Sequence, residues 1–457
     1  MMLAQMRIFT RKGVQVPFLF YGRNIIFFHK CLIRWKKGGI ICEVIYYLSR
    51  NGFMPKKKKK QKWIRFLHRI VWSLAFLVLY PYTRIKYRVK IKRFKEKQKR
   101  QYLVLFNHQT ALDQFIVGAG FKGPVYYVAS EDLFSNGWVS RLLEWAIAPI
   151  PIKKQATDAR AVLNCMRVMK EGGTIALSPE GNRTYSGKTE YIKPAIVGLV
   201  KTLKMPLVLY RIEGGYGVHP RWSDVIRRGK IRAYVSKVVE PEEYAQMSDD
   251  ELYTLIVEGL YVNEGCVDTP YKKKRLAEYL ERAYYVCPDC GLTEFVSNKD
   301  LVTCKKCGKT ARYLRDKSME GVDCEWPFRF TTEWYDYQSK FINGLDLTKC
   351  TEQPLYTDKV LFSAVELYDK KYPISDDATV CLYGDRIMVT AGNETYDFPF
   401  EKVSTVSVLG KNKVNIYFDG KLYQMKGDKR FNGVKYVHFC YRMKNILKGE
   451  NDEFLGL

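Results

Sequence analysis

Short apolar runs alternate with polar segments through the middle of the chain, as in α/β proteins. Residues 102–106, 148–152 and 174–178 predict buried strands, and each run ends in polar or charged residues. Residues 158–170 predict a helix between two of these strands. Because the carboxyl ends of parallel strands meet at one edge of a sheet, we expect an α/β domain. Its central, mostly parallel sheet would be flanked by helices, with polar side chains gathered in one crevice.

The last hundred residues follow a different pattern, in which short alternating runs are separated by turn residues. Six such runs between residues 378 and 425 predict strands, and Asp419-Gly420 is a two-residue hairpin signal. Residues 434–448 predict a closing amphipathic helix. The pattern indicates a small antiparallel β-rich module of six or seven strands with one C-terminal helix. It is similar to pleckstrin-homology and GRAM-like domains, and we expect it to dock on a protein or a membrane.

The positive charge of the chain is concentrated at its start. The 457 residues carry a formal net charge of +28, and the first hundred contain 27 Lys or Arg against two acids, whereas the remainder is nearly balanced. An uncharged apolar stretch at 70–83 lies between the run Lys56–Lys60 and a basic block at 84–100. A helix over 70–80 would span only about 16 Å, against roughly 30 Å of bilayer hydrocarbon.

Cations on both sides of a short apolar helix favour an interfacial anchor that holds the chain on anionic lipid. We therefore predict a peripheral or monotopic protein on the cytoplasmic face of the cell membrane. A buried core helix with a solvated basic linker is the alternative. Residues 1–53 are basic and aromatic without a sustained period, and they predict a second membrane-surface patch. Because Met54-Pro-Lys-Lys resembles a natural start, they are alternatively an extension that is not translated.

The residues after the first predicted strand form a candidate catalytic group. His108 and Asp113 are five residues apart, about 500° on a helix, so we expect His108 on the turn and Asp113 in the first turns of a following helix. An Asp that accepts from one imidazole N–H leaves the other nitrogen as a general base. After the strand at 174–178, Gly181 allows close approach of the backbone to a ligand, and Arg183 offers a planar fork suited to phosphate.

These segments resemble the sequence blocks of the phospholipid/glycerol acyltransferase family, which includes lysophosphatidic acid acyltransferases. NHQTALD at 107–113 is similar to the family's Asn-His-x4-Asp block, and SPEGNR at 178–183 to its Phe-Pro-Glu-Gly-Thr-Arg block. IPIKK at 150–154 and MPLV at 205–208 stand in the places of two further blocks, so the resemblance covers about residues 65–260. Ser178, Asn182 and Lys154 depart from the usual residues.

The resemblance implies acyl transfer from acyl-CoA or acyl carrier protein to a hydroxyl of a lysophospholipid or glycerol phosphate, with 1-acylglycerol 3-phosphate as the leading acceptor. His108 would deprotonate the hydroxyl and Asp113 would stabilise the imidazolium. The substrate-binding residues that it implies are Asn107, Lys154, Glu180, Gly181 and Arg183.

Four of the twelve cysteines form a metal-ligand pattern. Cys287-Pro-Asp-Cys290-Gly and Cys304-Lys-Lys-Cys307-Gly are separated by 13 residues, and two such knuckles can surround one tetrahedral zinc ion. We expect a structural zinc ribbon, because a closed four-sulfur site leaves no position for a substrate. A ribbon that has lost its metal, or two disulfides in an oxidising compartment, are the alternatives.

Two other classes of function remain open at this stage. One is a catalytically silent lipid- or protein-binding scaffold on the same fold. The other is a nucleic-acid binder that uses the ribbon, although residues 287–308 are not basic. The predicted order is an extension at 1–53, an anchor at 54–100, an acyltransferase domain at 101–260, a helical connector at 261–286, a zinc ribbon at 287–312, a linker at 313–355 and the β module at 356–449.

Overall fold

The computed structural model describes residues 6–9, 15–18, 62–95, 100–134, 137–152, 158–268, 270–366, 371–449 and 454–457. The chain divides into two units, residues 1–62 and 63–457. In the first unit, Met6–Phe9 (β1) pairs antiparallel with Gln15–Phe18 (β2). The remaining expectations for residues 1–53, and the run Lys56–Lys60, lie outside the described residues.

The second unit begins with an α/β domain around a seven-stranded sheet. The strand order is β3-β9-β8-β4-β7-β5-β6, and every neighbouring pair is parallel except β8 and β9. The predicted mostly parallel sheet is therefore confirmed. Its strands are Val89–Ile91 (β3), Leu103–Phe106 (β4), Val125–Ser130 (β5), Ile150–Ile152 (β6), Thr174–Leu177 (β7), Leu207–Glu213 (β8) and Ile231–Val239 (β9).

Helices cover the sheet and connect its parallel strands. The side chain of Asp158 accepts hydrogen bonds from the backbone N–H groups of Arg160 and Ala161, which fixes the start of the predicted helix at 158–170. The helices are Phe66–Lys86 (α1), Asp113–Gly120 (α2), Trp138–Ile147 (α3), Ala159–Lys170 (α4), Ala195–Leu203 (α5), Gly215–Val218 (α6), Pro241–Tyr244 (α7) and Asp249–Leu260 (α8). A 3-10 turn, Glu131–Phe134, follows β5.

The N-terminal helix α1 is longer than the apolar stretch that predicts it. It has 21 residues, includes Pro81 and is about 31 Å long. Among the described residues no helix is both long and apolar enough to cross a membrane. The predicted domain boundary at residue 100 is wrong, because β3 follows α1 directly and pairs with β9 inside the sheet.

The predicted helical connector at 261–286 is wrong. The helix α8 ends at Leu260, and in the described part of 261–286 the helical structure is limited to one 3-10 turn, Leu280–Arg282. Backbone N–H groups of this segment bond to distant parts of the chain. The N–H of Tyr271 donates to the carbonyl of Arg315 at 2.8 Å, and the N–H of Ala277 donates to the carbonyl of Lys299 at 3.0 Å. These long-range bonds replace the local bonds that a helix needs.

The cysteine segment forms a hairpin and a small antiparallel sheet. Strands β10 and β11 pair with each other, and the sheet has the order β12-β13-β14-β15. The predicted linker at 313–355 is wrong, because it contains β15 and a helix, Thr331–Asn343 (α9), whose Trp334 is fully buried. The strands are Val286–Cys287 (β10), Gly291–Leu292 (β11), Phe295–Asn298 (β12), Leu301–Cys304 (β13), Thr310–Tyr313 (β14) and Met319–Val322 (β15). A 3-10 turn, Leu347–Lys349, follows α9.

The C-terminal module is one antiparallel sheet of seven strands in the order β19-β18-β17-β16-β22-β21-β20, closed by a helix, Val434–Lys448 (α10). Asp419 and Gly420 have φ of 47° and 68°, as the predicted two-residue hairpin requires. The six runs predicted from the sequence begin at residue 378, so they do not include the first strand of this module, which begins at Tyr356. The strands are Tyr356–Val365 (β16), Lys371–Leu382 (β17), Arg386–Ala391 (β18), Glu394–Pro399 (β19), Val403–Leu409 (β20), Lys413–Phe418 (β21) and Lys421–Lys426 (β22).

The module shares a hydrophobic core with the cysteine segment and with part of the α/β domain. One cluster of buried side chains includes Tyr216 and Trp222 near the sheet, Trp334 on α9, and Val408 and Phe439 in the module. The guanidinium of Arg221 also donates to the carbonyl of Val408 at 3.1 Å. The α/β domain and the module are therefore packed as one body.

Candidate functional site

His108 and Asp113 meet at the carboxyl end of β4. His108 lies on the loop after this strand, and its Nδ1 is 2.8 Å from Oδ2 of Asp113, the first residue of α2. This is the predicted placement on a turn and a following helix. Because Asp113 is 0% exposed whereas the side chain of His108 is 17% exposed, the pair has a buried orienting group and an accessible imidazole. Nε2 is the ring nitrogen that Asp113 does not engage.

Asp113 is held by the loop that it closes. Its carboxylate accepts hydrogen bonds from the backbone N–H of Gln109 at 2.6 Å and of Thr110 at 3.0 Å, and from the Thr110 hydroxyl at 2.7 Å. Four donors, with His108 included, fix both oxygens. The carboxylate can therefore orient the imidazole and stabilise its protonated form without moving.

The side-chain amide of Asn107, which the resemblance predicts to bind substrate, bonds to the backbone of β8. Its amide donates to the carbonyl of Ile212 at 2.8 Å and accepts from the N–H of Ile212 at 2.7 Å. The side chain is buried, so both of its polar atoms are occupied by β8. Asn107 therefore fixes the start of the His108 loop against the sheet.

Glu180 joins the two loops of the site. Its Oε1 accepts from the backbone N–H of His108 at 2.7 Å, and its Oε2 accepts from that of Glu190 at 2.7 Å. Burial raises the pKa of this carboxyl well above its usual range, although the two N–H groups oppose the shift. Glu180 acts on the loop geometry, and its oxygens are engaged by the backbone.

Gly181 and Arg183 follow in the same loop. Gly181 has φ of +71°, a conformation that side chains other than glycine rarely adopt. The guanidinium Nη1 of Arg183 is buried and has no partner in the described part of the chain. Burial, together with the charge of Arg221, lowers the pKa of Arg183 to about 10. Lys154, the other predicted phosphate contact, lies outside the described residues.

His108 lines a cavity of about 1080 Å³. Trp72 and Phe76 of α1 line one part of it, and Ser178 and Gly181 line another. The C-terminal module contributes further residues, Thr405, Ser407, Leu409 and Lys413. The sequence motifs do not indicate these residues, because they lie about 300 positions away from His108.

The four predicted cysteines form a second candidate site. Their sulfur atoms all lie within 4.8 Å of one another. The Sγ atoms of Cys287 and Cys307 are 3.7 Å apart, and those of Cys290 and Cys304 are 3.5 Å apart. Four thiolates around one zinc ion at about 2.3 Å would be roughly 3.8 Å apart, so this donor set fits a tetrahedral metal ion. Gly291 and Gly308, with φ of 68° and 78°, close the two knuckles.

Comparison with known proteins identifies the α/β domain. Residues 86–212 match the family model named Acyltransferase, and this span includes His108, Asp113, Glu180 and Arg183. No curated protein matches the chain significantly. Among solved structures, the chain is similar to the 1-acyl-sn-glycerophosphate (LPA) acyltransferase PlsC from Thermotoga maritima, with 22% identity and a TM-score of 0.33 over 48% of this chain and 85% of that one. The chain therefore contains a domain of the acyltransferase family, at residues 86–212.

Proposed function

We propose that the chain transfers an acyl group from a thioester, acyl-CoA or acyl carrier protein, to a hydroxyl of a lysophospholipid or glycerol phosphate. The observation that carries the proposal is the His108–Asp113 pair, whose accessible imidazole faces a large cavity within an acyltransferase-family domain. The first acceptor to test is 1-acylglycerol 3-phosphate, because the loop after β7, which Glu180 joins to the His108 loop, carries the unpartnered guanidinium nitrogen of Arg183.

In the proposed reaction, Nε2 of His108 takes the proton of the acceptor hydroxyl while the oxygen attacks the thioester carbonyl. The new C–O bond forms an ester, the C–S bond breaks, and the proton passes from His108 to the departing thiolate. Asp113 stabilises the imidazolium between these two steps through its 2.8 Å contact with Nδ1. The chain itself needs no covalent intermediate, because the acceptor hydroxyl is the nucleophile.

Arg183, together with Lys154, would bind the phosphate of the acceptor. A guanidinium presents two parallel N–H groups that match phosphate oxygens. Because Nη1 of Arg183 is buried without a partner, a bound anion would satisfy a donor that otherwise costs free energy. Asn107 and Glu180 would act on the position of the loops and not on the substrate.

The exposed faces of α1 and α3 support docking on a membrane surface. On α3, Trp138 and Trp145 are exposed. On α1 the exposed apolar side chains share one helix face, and they are Phe66, Ile70, Leu74, Leu77, Val78, Tyr82 and Ile85. Residues 62–95 contain ten Lys or Arg and no acid. An apolar face bordered by cations favours insertion into the interface of an anionic leaflet. Since α1 also lines the cavity, a lipid acceptor could enter directly from that leaflet.

For the cysteine cluster we propose one structural zinc ion, held by Cys287, Cys290, Cys304 and Cys307. The separation of the sulfur atoms is what supports it. Zinc would tie the β10–β11 hairpin to β13, and a four-thiolate set has no position for a substrate. Residues 287–308 hold three lysines against three acids, and Lys305 pairs with Glu294, so the cysteine segment lacks the excess of positive charge that nucleic-acid binding requires.

The test is an assay of purified chain with labelled acyl-CoA or acyl carrier protein and a panel of acceptors, on anionic vesicles. We expect His108→Ala to lower kcat by roughly 10²–10⁴-fold while vesicle binding and melting temperature stay as in the wild type. Comparable turnover in His108→Ala would disprove the catalytic assignment. A wild-type chain that binds lipid but transfers no acyl group to any acceptor would instead support the scaffold alternative.

A further inference from the structure

We propose that the C-terminal module completes the acceptor site, with Ser407 on β20 and Lys413 at the start of β21 binding the phosphate of the acceptor together with Arg183. This inference rests on the proposed function and assigns a substrate-selecting role to a part of the chain outside the acyltransferase family match, which ends at residue 212.

The first observation is that the module and the catalytic loop share one cavity. Ser407, Lys413 and His108 all line it, as does Ser178 at the end of β7. The hydroxyls of Ser407 and Ser178 are both buried, and neither has a hydrogen-bond partner in the described part of the chain. Two unsatisfied hydroxyls in the wall of one cavity are the donors that a polar ligand would satisfy.

The second observation is that Lys413, in the wall of the cavity, lacks a carboxylate partner among the described residues. Lys413 is half-buried, and no carboxylate of the described residues forms an ion pair with it. The neighbouring Lys411, in contrast, is engaged by the carboxylate of Asp224 at 2.6 Å. Arg183 follows the lining residues Ser178 and Gly181 in the loop after β7, and its buried Nη1 has no partner in the described part of the chain. An anion bound between this loop and Lys413 would neutralise both positive charges.

The third observation is that the β20–β21 hairpin is fixed relative to the catalytic loops. Lys411 donates to the carbonyl of Ser223 at 2.7 Å. Arg221 donates through one nitrogen to the carbonyl of Val408 at 3.1 Å and through another to that of Arg183 at 2.9 Å. Because one guanidinium links the hairpin to the Arg183 backbone, Ser407 and Lys413 keep a set position in the site.

The chemistry of these groups suits a phosphomonoester. An ammonium, a hydroxyl and a guanidinium can together donate to three phosphate oxygens and balance close to two negative charges. The donor coenzyme also carries phosphate, so donor and acceptor must be distinguished by experiment. We assign the group to the acceptor because the hairpin lines the same cavity as His108. In 1-acylglycerol 3-phosphate the phosphate is attached to the carbon next to the one that bears the reacting hydroxyl, whereas in the donor the pantetheine arm separates the thioester from the phosphates.

The test compares Lys413→Ala, Ser407→Ala and Lys413→Arg with Lys421→Ala, which removes an exposed lysine on β22 of the same module. For Lys413→Ala we expect KM for 1-acylglycerol 3-phosphate to rise about 10-fold or more, with kcat changed much less. Ser407→Ala should raise the same KM by a smaller factor. Lys413→Arg should have a KM for this acceptor close to that of the wild type, and Lys421→Ala should have the wild-type KM.

Two further measurements separate the possible sources of phosphate. KM for the acyl donor, and KM for a monoacylglycerol acceptor without phosphate, should be unchanged in Lys413→Ala. An unchanged KM for the phosphate-bearing acceptor, or a rise confined to KM for the donor, would overturn the inference.

Equilibrium binding of 1-acylglycerol 3-phosphate, measured without the acyl donor, compares the Kd of the wild type with that of Lys413→Ala. If wild type and Lys413→Ala bind the acceptor equally, the inference fails whether or not turnover is seen. If the wild type binds more tightly than Lys413→Ala but transfers no acyl group, the proposed function fails while the phosphate site stands.

Discussion

The polar residues of the NHQTALD and SPEGNR segments have different roles that their residue types do not reveal. Asp113 orients His108, whereas Asn107 bonds to the backbone of β8 and Glu180 to the backbone of two loops. A carboxylate and an amide can each serve a ligand or a main-chain group equally well. Only the position of the partner atoms separates the carboxylate that contacts His108 from the side chains that contact the backbone.

Asn107→Ala tests this distinction through stability. The substitution would leave the N–H and the carbonyl of Ile212 buried without their partners, and we expect the free energy of unfolding to fall by about 2 kcal/mol or more. Urea denaturation measures the change. Asn393→Ala, at an exposed turn after β18, is the matched control and should be nearly neutral. If Asn107→Ala has the wild-type free energy of unfolding but a raised KM for the acceptor, Asn107 contacts substrate.

At the scale of elements, α1 has two apolar faces with different surroundings. Trp72 and Phe76 turn toward the cavity, whereas Leu74 and Leu77 are exposed on the other face. A surface helix of a globular domain normally has one apolar stripe, facing the core. The second stripe on α1 is the feature that favours contact with lipid over the buried-helix alternative, and Trp138 on α3 is also exposed.

Leu77→Asn should weaken binding to anionic vesicles. Leu77 is 70% exposed, and losing the burial of one leucine in the interface should lower the partition coefficient by about 10-fold. Co-sedimentation with vesicles measures the effect. Leu447→Asn removes a leucine on α10 that is 56% exposed and should bind like the wild type. Equal losses for both variants, or none for Leu77→Asn, would contradict docking through α1.

At the scale of the whole molecule, the cysteine segment lies between the α/β domain and the β module. Cys287 and Cys304 belong to the buried cluster that contains Trp222 of the α/β domain and Phe439 of α10. The indole N–H of Trp334 donates to the carbonyl of Val286, directly before the first cysteine. A metal ion at the four thiolates would therefore stabilise the junction that holds the module against the cavity lined by His108.

Removing zinc should loosen this junction. We expect one zinc ion per chain by elemental analysis, and a fall of several degrees in melting temperature after treatment with a strong chelator. Cys304→Ser should melt like the chelated wild type, whereas Cys381→Ser, outside the cluster, should not. A chain that contains no metal and is unaffected by chelation would contradict the structural zinc.

The amino-acid sequence by itself determined the elements whose signals are local. Periodicity predicted β4, β7, α4 and α10, turn residues predicted the hairpin at Asp419-Gly420, and fixed spacings predicted the His108–Asp113 contact and the group of four cysteines. Each of these depends on residues that are neighbours in sequence or on a rigid spacing pattern, so no long-range information was needed.

The tertiary structure alone decided what depends on distant partners. The segment at 261–286 is irregular because its N–H groups bond to distant segments, such as the turns at Lys299 and Arg315. The helix α9 is structural because Trp334 packs in the core that the domains share. Likewise, Ser407 and Lys413 reach the cavity of His108 only because two domains share one core. Burial and pairing between segments hundreds of residues apart are set by packing, which neither periodicity nor motif spacing encodes.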